Sequence, residues 1–169
     1  DLTARKLIPA LFELFNDKDL PENYIVVGAS RSQLTDEEFR NRVTVESSYL
    51  DDADQDKLKT FSKKIFYQSI ESYEGDYTAL NTRSLELNET HRTDDNFIFY
   101  LSTPPGVYKH IAERLCKSGL SDEDEGWRRL IVEKPFGYDL KTAQALNKDL
   151  LQFFKEEQIY RIDHYLGKE

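Results

Sequence analysis

The sequence predicts an α/β protein: a parallel sheet with right-handed crossovers. Three observations carry that expectation. Short apolar runs alternate with amphipathic helical stretches along all 169 residues. One run, FIFYL at Phe97–Leu101, is apolar almost throughout, as in a strand covered on both faces. No internal repeat, low-complexity linker or boundary precedes about residue 160, so the chain reads as one domain with one core.

The elements follow in order. Leu7, Leu11 and Leu14 stand at helical spacing beside Ile8 and Phe15. Pro9 kinks that helix or starts it afresh, having no amide hydrogen for the carbonyl four residues back. A polar turn over 16–20 leads to a short buried strand over 24–30 that ends in small residues. Thr35 and Glu38 form a capping box, and Phe39, Val43 and Leu50 give the following helix its apolar face. The acidic run 51–56 resembles a calcium loop but fails as one. Lys57 stands where the sharp-turn glycine belongs, and Lys63 where the terminal glutamate does. It reads as a solvent-facing helix start.

Residues 65–68 are a strand, 77 to about 87 a weaker helix, and 91–96 a polar connection. After the strand Phe97–Leu101, Pro104 to Gly106 make a stop. Val107, Ile111 and Leu115 then mark a helix ending near Gly119. The acidic loop 121–126 carries no functional expectation. Residues 130–132 form a buried strand, Asp139 caps a helix with Ala143, Leu146, Leu150 and Phe153 on one face, and Ile159–Ile162 is the last strand.

A net charge of -9 argues against non-specific nucleic-acid binding and against an anionic membrane surface. The one cysteine, Cys116, excludes an internal disulfide and reads as a packing residue in a reducing compartment. No membrane-spanning run or signal pattern is present, and Asn88-Glu89-Thr90 is a coincidental glycosylation match. The expected location is the cytosol, and no metal site is expected.

Ligands of open parallel sheets sit beyond the carboxyl ends of the strands, so the residues after each strand are the candidates. Ser30-Arg31-Ser32-Gln33 follows the first. Arg31 stands where an NAD-binding domain has an acidic residue for the ribose hydroxyl, and an arginine there suits the 2′-phosphate of NADP. A surface arginine at a strand end would look the same. Ser30 and Ser32 offer hydroxyl donors to that phosphate. Tyr100 lies near the end of its strand, where ordinary strand packing is the alternative. In EKPFG (133–137), the proline keeps Lys134 extended at the mouth of the sheet. A cis bond before Pro135 is open to it. The last nine residues, RIDHYLGKE (161–169), gather Arg161, His164, Tyr165 and Lys168 as donors for phosphate or sugar oxygens, with Asp163 as an acceptor. A charged tail is the bland alternative.

RIDHYLGKE closely resembles the signature of the glucose-6-phosphate dehydrogenase family. EKPFG, LPEN (20–23), Phe99-Tyr100-Leu101 and the opening Asp1-Leu2-Thr3 fall in that family's order and spacing. The resemblance implies a Rossmann-like doubly wound parallel sheet with helices on both faces. Residues 1–163 would be the NADP-binding domain and 164–169 the start of a substrate domain. It implies that Asp1, Leu2, Arg31, Tyr100 and Lys134 contact NADP. Lys134, His164, Tyr165 and Lys168 would bind glucose 6-phosphate, and Asp163 would orient the catalytic histidine. Asp163 and Lys134 are thus the catalytic candidates. The implied reaction is hydride transfer from sugar C1 to NADP, giving 6-phosphogluconolactone, in a full-length protein that is a homo-oligomer.

Two departures from the family pattern stand out. The family opens with a strand and a glycine-rich turn ending in Asp-Leu, whereas this chain opens at Asp1. The first strand and its glycines are therefore expected to be missing from a cut piece. None of His91, His110 or His164 matches the family's general base, which would lie outside the chain. His91 and His110 read as loop and helix-surface residues. A non-catalytic nucleotide- or sugar-phosphate-binding module, and a dehydrogenase of another sugar phosphate, are the competing expectations.

Overall fold

The computed structural model describes residues 2–45 and 50–162. The chain divides into two compact units, Asp1–Ile70 with Thr82–Thr93, and Glu71–Asn81 with Asp94–Glu169. Each unit carries its own parallel sheet, with helices flanking the strands.

In the first unit a π-helical turn, Thr3–Leu7, runs into helix α1 (Ile8–Asp17). Pro9 sits in the first turn of α1, where its missing amide hydrogen costs no α-helical bond. The widened turn just before it absorbs the change of register. α1 ends at Lys18, which takes the left-handed conformation (φ 62°). Strand β1 (Val26–Ser30) pairs in parallel with β2 (Ile65–Ser69), Val26 opposite Ile65 and Ser30 opposite Ser69. Between them lie α2 (Asp36–Arg40), a π-helical turn Asn41–Val45, and α3 (Gln55–Ser62).

Both helix starts are capped as local chemistry dictates. Glu38 N donates to Thr35 Oγ1 at 3.2 Å while Thr35 N donates to Glu38 Oε2 at 2.7 Å. Asp54 accepts from the amides of Asp56 and Lys57 at 3.0 and 3.1 Å. That assigns the acidic run its role as a helix cap. The core joins Ile8 and Phe12 of α1 to Phe39, Val43, Leu50, Leu58, Phe61, Ile65 and Tyr67. The buried face of α1 is therefore Ile8 and Phe12, and the expected Leu14 is 40% exposed. Aromatic volume decides this: Phe12 meets Phe61 edge-on at 5.5 Å. The first unit also holds α4 (Thr78–His91) from Thr82 onward. His91 closes that helix instead of lying in a loop, its ring 5.1 Å from that of Phe66.

The second unit carries a three-stranded parallel sheet, β3 (Phe97–Leu101), β4 (Arg128–Glu133) and β5 (Ile159–Ile162), in the order β3-β4-β5. In each sheet the strands lie side by side in sequence order, β1-β2 in the first unit and β3-β4-β5 in the second. Helix α5 (Tyr108–Lys117) buries Tyr108, Ile111, Ala112 and Leu115. Helix α6 (Leu140–Leu150) buries Leu150, and beyond it Phe154 is buried where Phe153 was expected. The expectation that Phe97–Leu101 is covered on both faces is corrected: Ile98 is 59% exposed. Arg128 is buried at the start of β4, with its guanidinium paired to Asp95 at 2.7 Å and stacked 4.6 Å from the Phe97 ring.

Candidate functional site

In a parallel sheet all the carboxyl ends lie at one edge, so polar groups placed just past the strands face a common rim within each sheet. At the end of β1 this rim is the turn Ser30 to Ser32. Three hydrogen bonds close a ring there. Ser32 N donates to Ser30 Oγ at 3.3 Å, Ser30 Oγ lies 2.7 Å from Tyr67 Oη, and Tyr67 Oη donates to the Ser32 carbonyl at 2.7 Å. Tyr67 is buried and comes from the neighbouring strand β2. Its phenol thus sets the shape of the turn, and Arg31 stands at the tip with its side chain exposed. The Ser30 hydroxyl is engaged inside the ring, which limits the donor role expected for it. Asp36 anchors the next segment. It accepts from Tyr67 N at 2.7 Å and pairs with Arg83 at 3.0 Å.

At the carboxyl end of the second sheet, Tyr100 of β3 sits opposite Ile131 of β4. Glu133 is two residues further along β4 and so points to the same face as Ile131. A diagonal neighbour of this kind is within reach of a long or aromatic side chain, and Tyr100 Oη donates to Glu133 Oε1. Burial first, and then the Glu133 carboxylate that takes its hydrogen bond, push the Tyr100 phenol well above its ordinary range. It stays protonated and keeps donating.

The Glu133 backbone is held as well. Its amide donates to Tyr108 Oη at 3.4 Å, and Tyr108 Oη donates to its carbonyl at 3.3 Å. Tyr108 is 1% exposed, and burial raises its phenol above the usual value. Next along the chain Lys134 is exposed, and its bond to Pro135 is cis. Gly137 closes the turn at φ 128°, and a side chain there would meet the Ala143 amide at 2.5 Å. Only glycine fits both demands. Thr142 then accepts from the amides of Tyr138 and Asp139 at 2.9 and 3.1 Å, tying the turn to the start of α6.

Among the expected site residues, Tyr100 and Lys134 therefore lie at one sheet edge, and Arg31 lies at the edge of the other sheet. Leu2 is half-buried at the start of the first helical segment. Asp1, Asp163, His164, Tyr165 and Lys168 fall outside the described residues. Sequence reasoning missed Glu133, Tyr67 and Tyr108 as site-building residues. Glu133 had one signal, its place beside Lys134. The two tyrosines had none, because their partners lie 25 to 37 residues away in sequence.

A parallel α/β chain with these strand orders and polar groups at its carboxyl edges falls in the class of dinucleotide-binding folds. The family model described as glucose-6-phosphate dehydrogenase, NAD binding domain, matches residues 1–169, and the chain belongs to that family. It is 48% identical over 170 residues to a glucose-6-phosphate 1-dehydrogenase of Aggregatibacter actinomycetemcomitans, covering 100% of this chain and 34% of the relative. A chloroplastic glucose-6-phosphate 1-dehydrogenase of Solanum tuberosum is 41% identical over 173 residues, covering 100% of this chain and 29% of the relative. Among solved structures, a glucose-6-phosphate dehydrogenase in complex with its substrate glucose-6-phosphate superposes with a TM-score of 0.87 at 33% identity. That match covers 100% of this chain and 35% of the other. The chain spans about a third of the length of the relatives it matches.

Proposed function

We propose that this chain is the coenzyme-binding part of an NADP-dependent enzyme. The enzyme oxidises glucose 6-phosphate at C1 to 6-phosphogluconolactone, the entry step of the oxidative pentose phosphate pathway. The observation that carries this reading is the Tyr100–Glu133 pair with Lys134 beside it, past parallel strands β3 and β4, in a chain matched by the family model throughout. The donor set fits NADP. The turn after β1 presents an exposed arginine between two serines and no carboxylate that would repel a 2′-phosphate.

In this reading residues 1–163 are the coenzyme domain and 164–169 open the substrate domain. Arg31 holds the 2′-phosphate, while Asp1, Leu2, Tyr100 and Lys134 line the coenzyme. Lys134 also faces the sugar, and His164, Tyr165 and Lys168 bind its 6-phosphate. Asp163 orients a histidine supplied from elsewhere in the full-length protein, which removes the C1 hydroxyl proton. The bound coenzyme supplies the hydride acceptor. The full-length protein is read as a homo-oligomer in the cytoplasm. Among the described residues no helix is long and apolar enough to cross a membrane.

The test is formation of NADPH by the full-length protein with glucose 6-phosphate and with glucose. Much faster turnover of the phosphate is expected. Equal rates would overturn the phosphate role of His164 and Lys168. Coenzyme binding without turnover of either sugar would favour a sensing module.

A further inference from the structure

Asp36 is the first carboxylate after Arg31, five residues further along the chain and in the opening turn of α2. A carboxylate near the end of such a strand suits the ribose hydroxyl of NAD and repels a 2′-phosphate. Here both of its oxygens are engaged. Oδ1 accepts from the Tyr67 amide of β2 at 2.7 Å, and Oδ2 accepts from Arg83 Nη2 of α4 at 3.0 Å. Arg40 stands further off, at 4.0 Å. Arg83 is placed in turn by the Phe66 ring, 5.9 Å from its guanidinium carbon, and by Glu86 at 3.8 Å. All of these residues belong to the first unit.

The amide that Asp36 holds is that of Tyr67, whose phenol ties the turn from Ser30 to Ser32. The carboxylate is therefore one tyrosine's length from the turn that presents Arg31. We infer that Arg83 is a positioning residue for coenzyme selectivity. It cancels the charge of Asp36 and keeps that carboxylate bonded inward, so that a 2′-phosphate meets Arg31 with no anion competing for it. The inference rests on the NADP reading above and adds to it a residue of α4, far from any strand end. Arg83 acts through Asp36 and does not touch the coenzyme.

The experiment uses the full-length protein, with dissociation constants for NADP and NAD measured by calorimetric titration at low and at high salt. Arg83→Ala should weaken NADP about fivefold at low salt, as expected of one uncancelled charge near a partly exposed phosphate, and leave NAD unchanged. The loss should shrink at high salt. Arg83→Lys restores the charge and should recover most of the affinity. Asp36→Asn added to Arg83→Ala should recover it too, because asparagine keeps an acceptor for the Tyr67 amide and carries no charge.

If Arg83 only braces α4, NADP and NAD should lose affinity together, and Asp36→Asn should add to the loss instead of reversing it. Either result would overturn the inference, as would an NADP loss indifferent to salt. A wild-type protein that binds neither coenzyme, or prefers NAD, would overturn the NADP reading itself and the inference with it.

Discussion

Tyr67 Oη donates to the Ser32 carbonyl at 2.7 Å, so a buried side chain of β2 shapes the turn that presents Arg31 after β1. The phenol stays close to the Ser30 hydroxyl at the same time, at 2.7 Å. Replacing Tyr67 with Phe keeps the ring against Phe39, 4.9 Å away, and removes these bonds together with the longer one to the Ser30 carbonyl at 3.2 Å. The fold should lose about 1 kcal/mol. Affinity for NADP should fall severalfold while affinity for NAD changes little, if the turn meets the coenzyme at the 2′-phosphate as proposed. Calorimetric titration of both coenzymes checks this, and parallel losses would contradict it.

Gly28 lies in the middle of β1 beneath Phe39. A Cβ there would stand 2.2 and 2.5 Å from two carbons of that ring. Phe39 is 8% exposed and packed on Tyr67, so the ring has little room to withdraw. Gly28→Ala should cost roughly 1–3 kcal/mol through overpacking. Denaturant unfolding measures it, and an unchanged midpoint would show that the ring moves freely.

The buried pair of Arg128 and Asp95 should behave asymmetrically. Asp95→Ala strands a guanidinium that is 5% exposed and should cost about 3–5 kcal/mol. Arg128→Met removes the charge but keeps much of the apolar stem against Phe97, and should cost less. Thermal midpoints of the two variants decide the order.

The His91 imidazole is held below its ordinary pKa, first by burial and then by the charge of Lys64. The folded state therefore favours the neutral ring. Its contribution to stability is complete above the unfolded value of about 6.5. It is lost as pH falls through the lower folded value, because the unfolded chain takes up the proton first. Replacing His91 with Gln should flatten the decline in melting temperature on the acid side of that value. An unaltered slope would assign the decline to the carboxylates, of which Glu123, Glu38 and Asp139 are also held low by hydrogen bonds.

Local chemistry was the legible part of this chain. The Thr35–Glu38 capping box, the Asp139 cap and the five apolar runs all depend on neighbours within a few residues, and all five strands lie where those runs do. Burial faces were less legible, as Leu14 and Ile98 show, because what covers a face depends on packing and not on spacing. Arg31, Tyr100 and Lys134 could be picked out by their place after strands. Their supports could not, since Tyr67 meets Ser32 across 35 residues and Glu133 meets Tyr100 across 33. RIDHYLGKE carried the family resemblance, and its residues from Asp163 onward lie outside those described.

The central claim is that the carboxyl edges of these parallel strands bind NADP, with Arg31 reading the 2′-phosphate. Dissociation constants for NADP and NAD, measured on the full-length protein and on Arg31→Ala, test it most directly. The variant should lose about tenfold or more in affinity for NADP, as expected for a charge-assisted contact, and almost none for NAD. Equal losses for both coenzymes, or none for either, would contradict the claim.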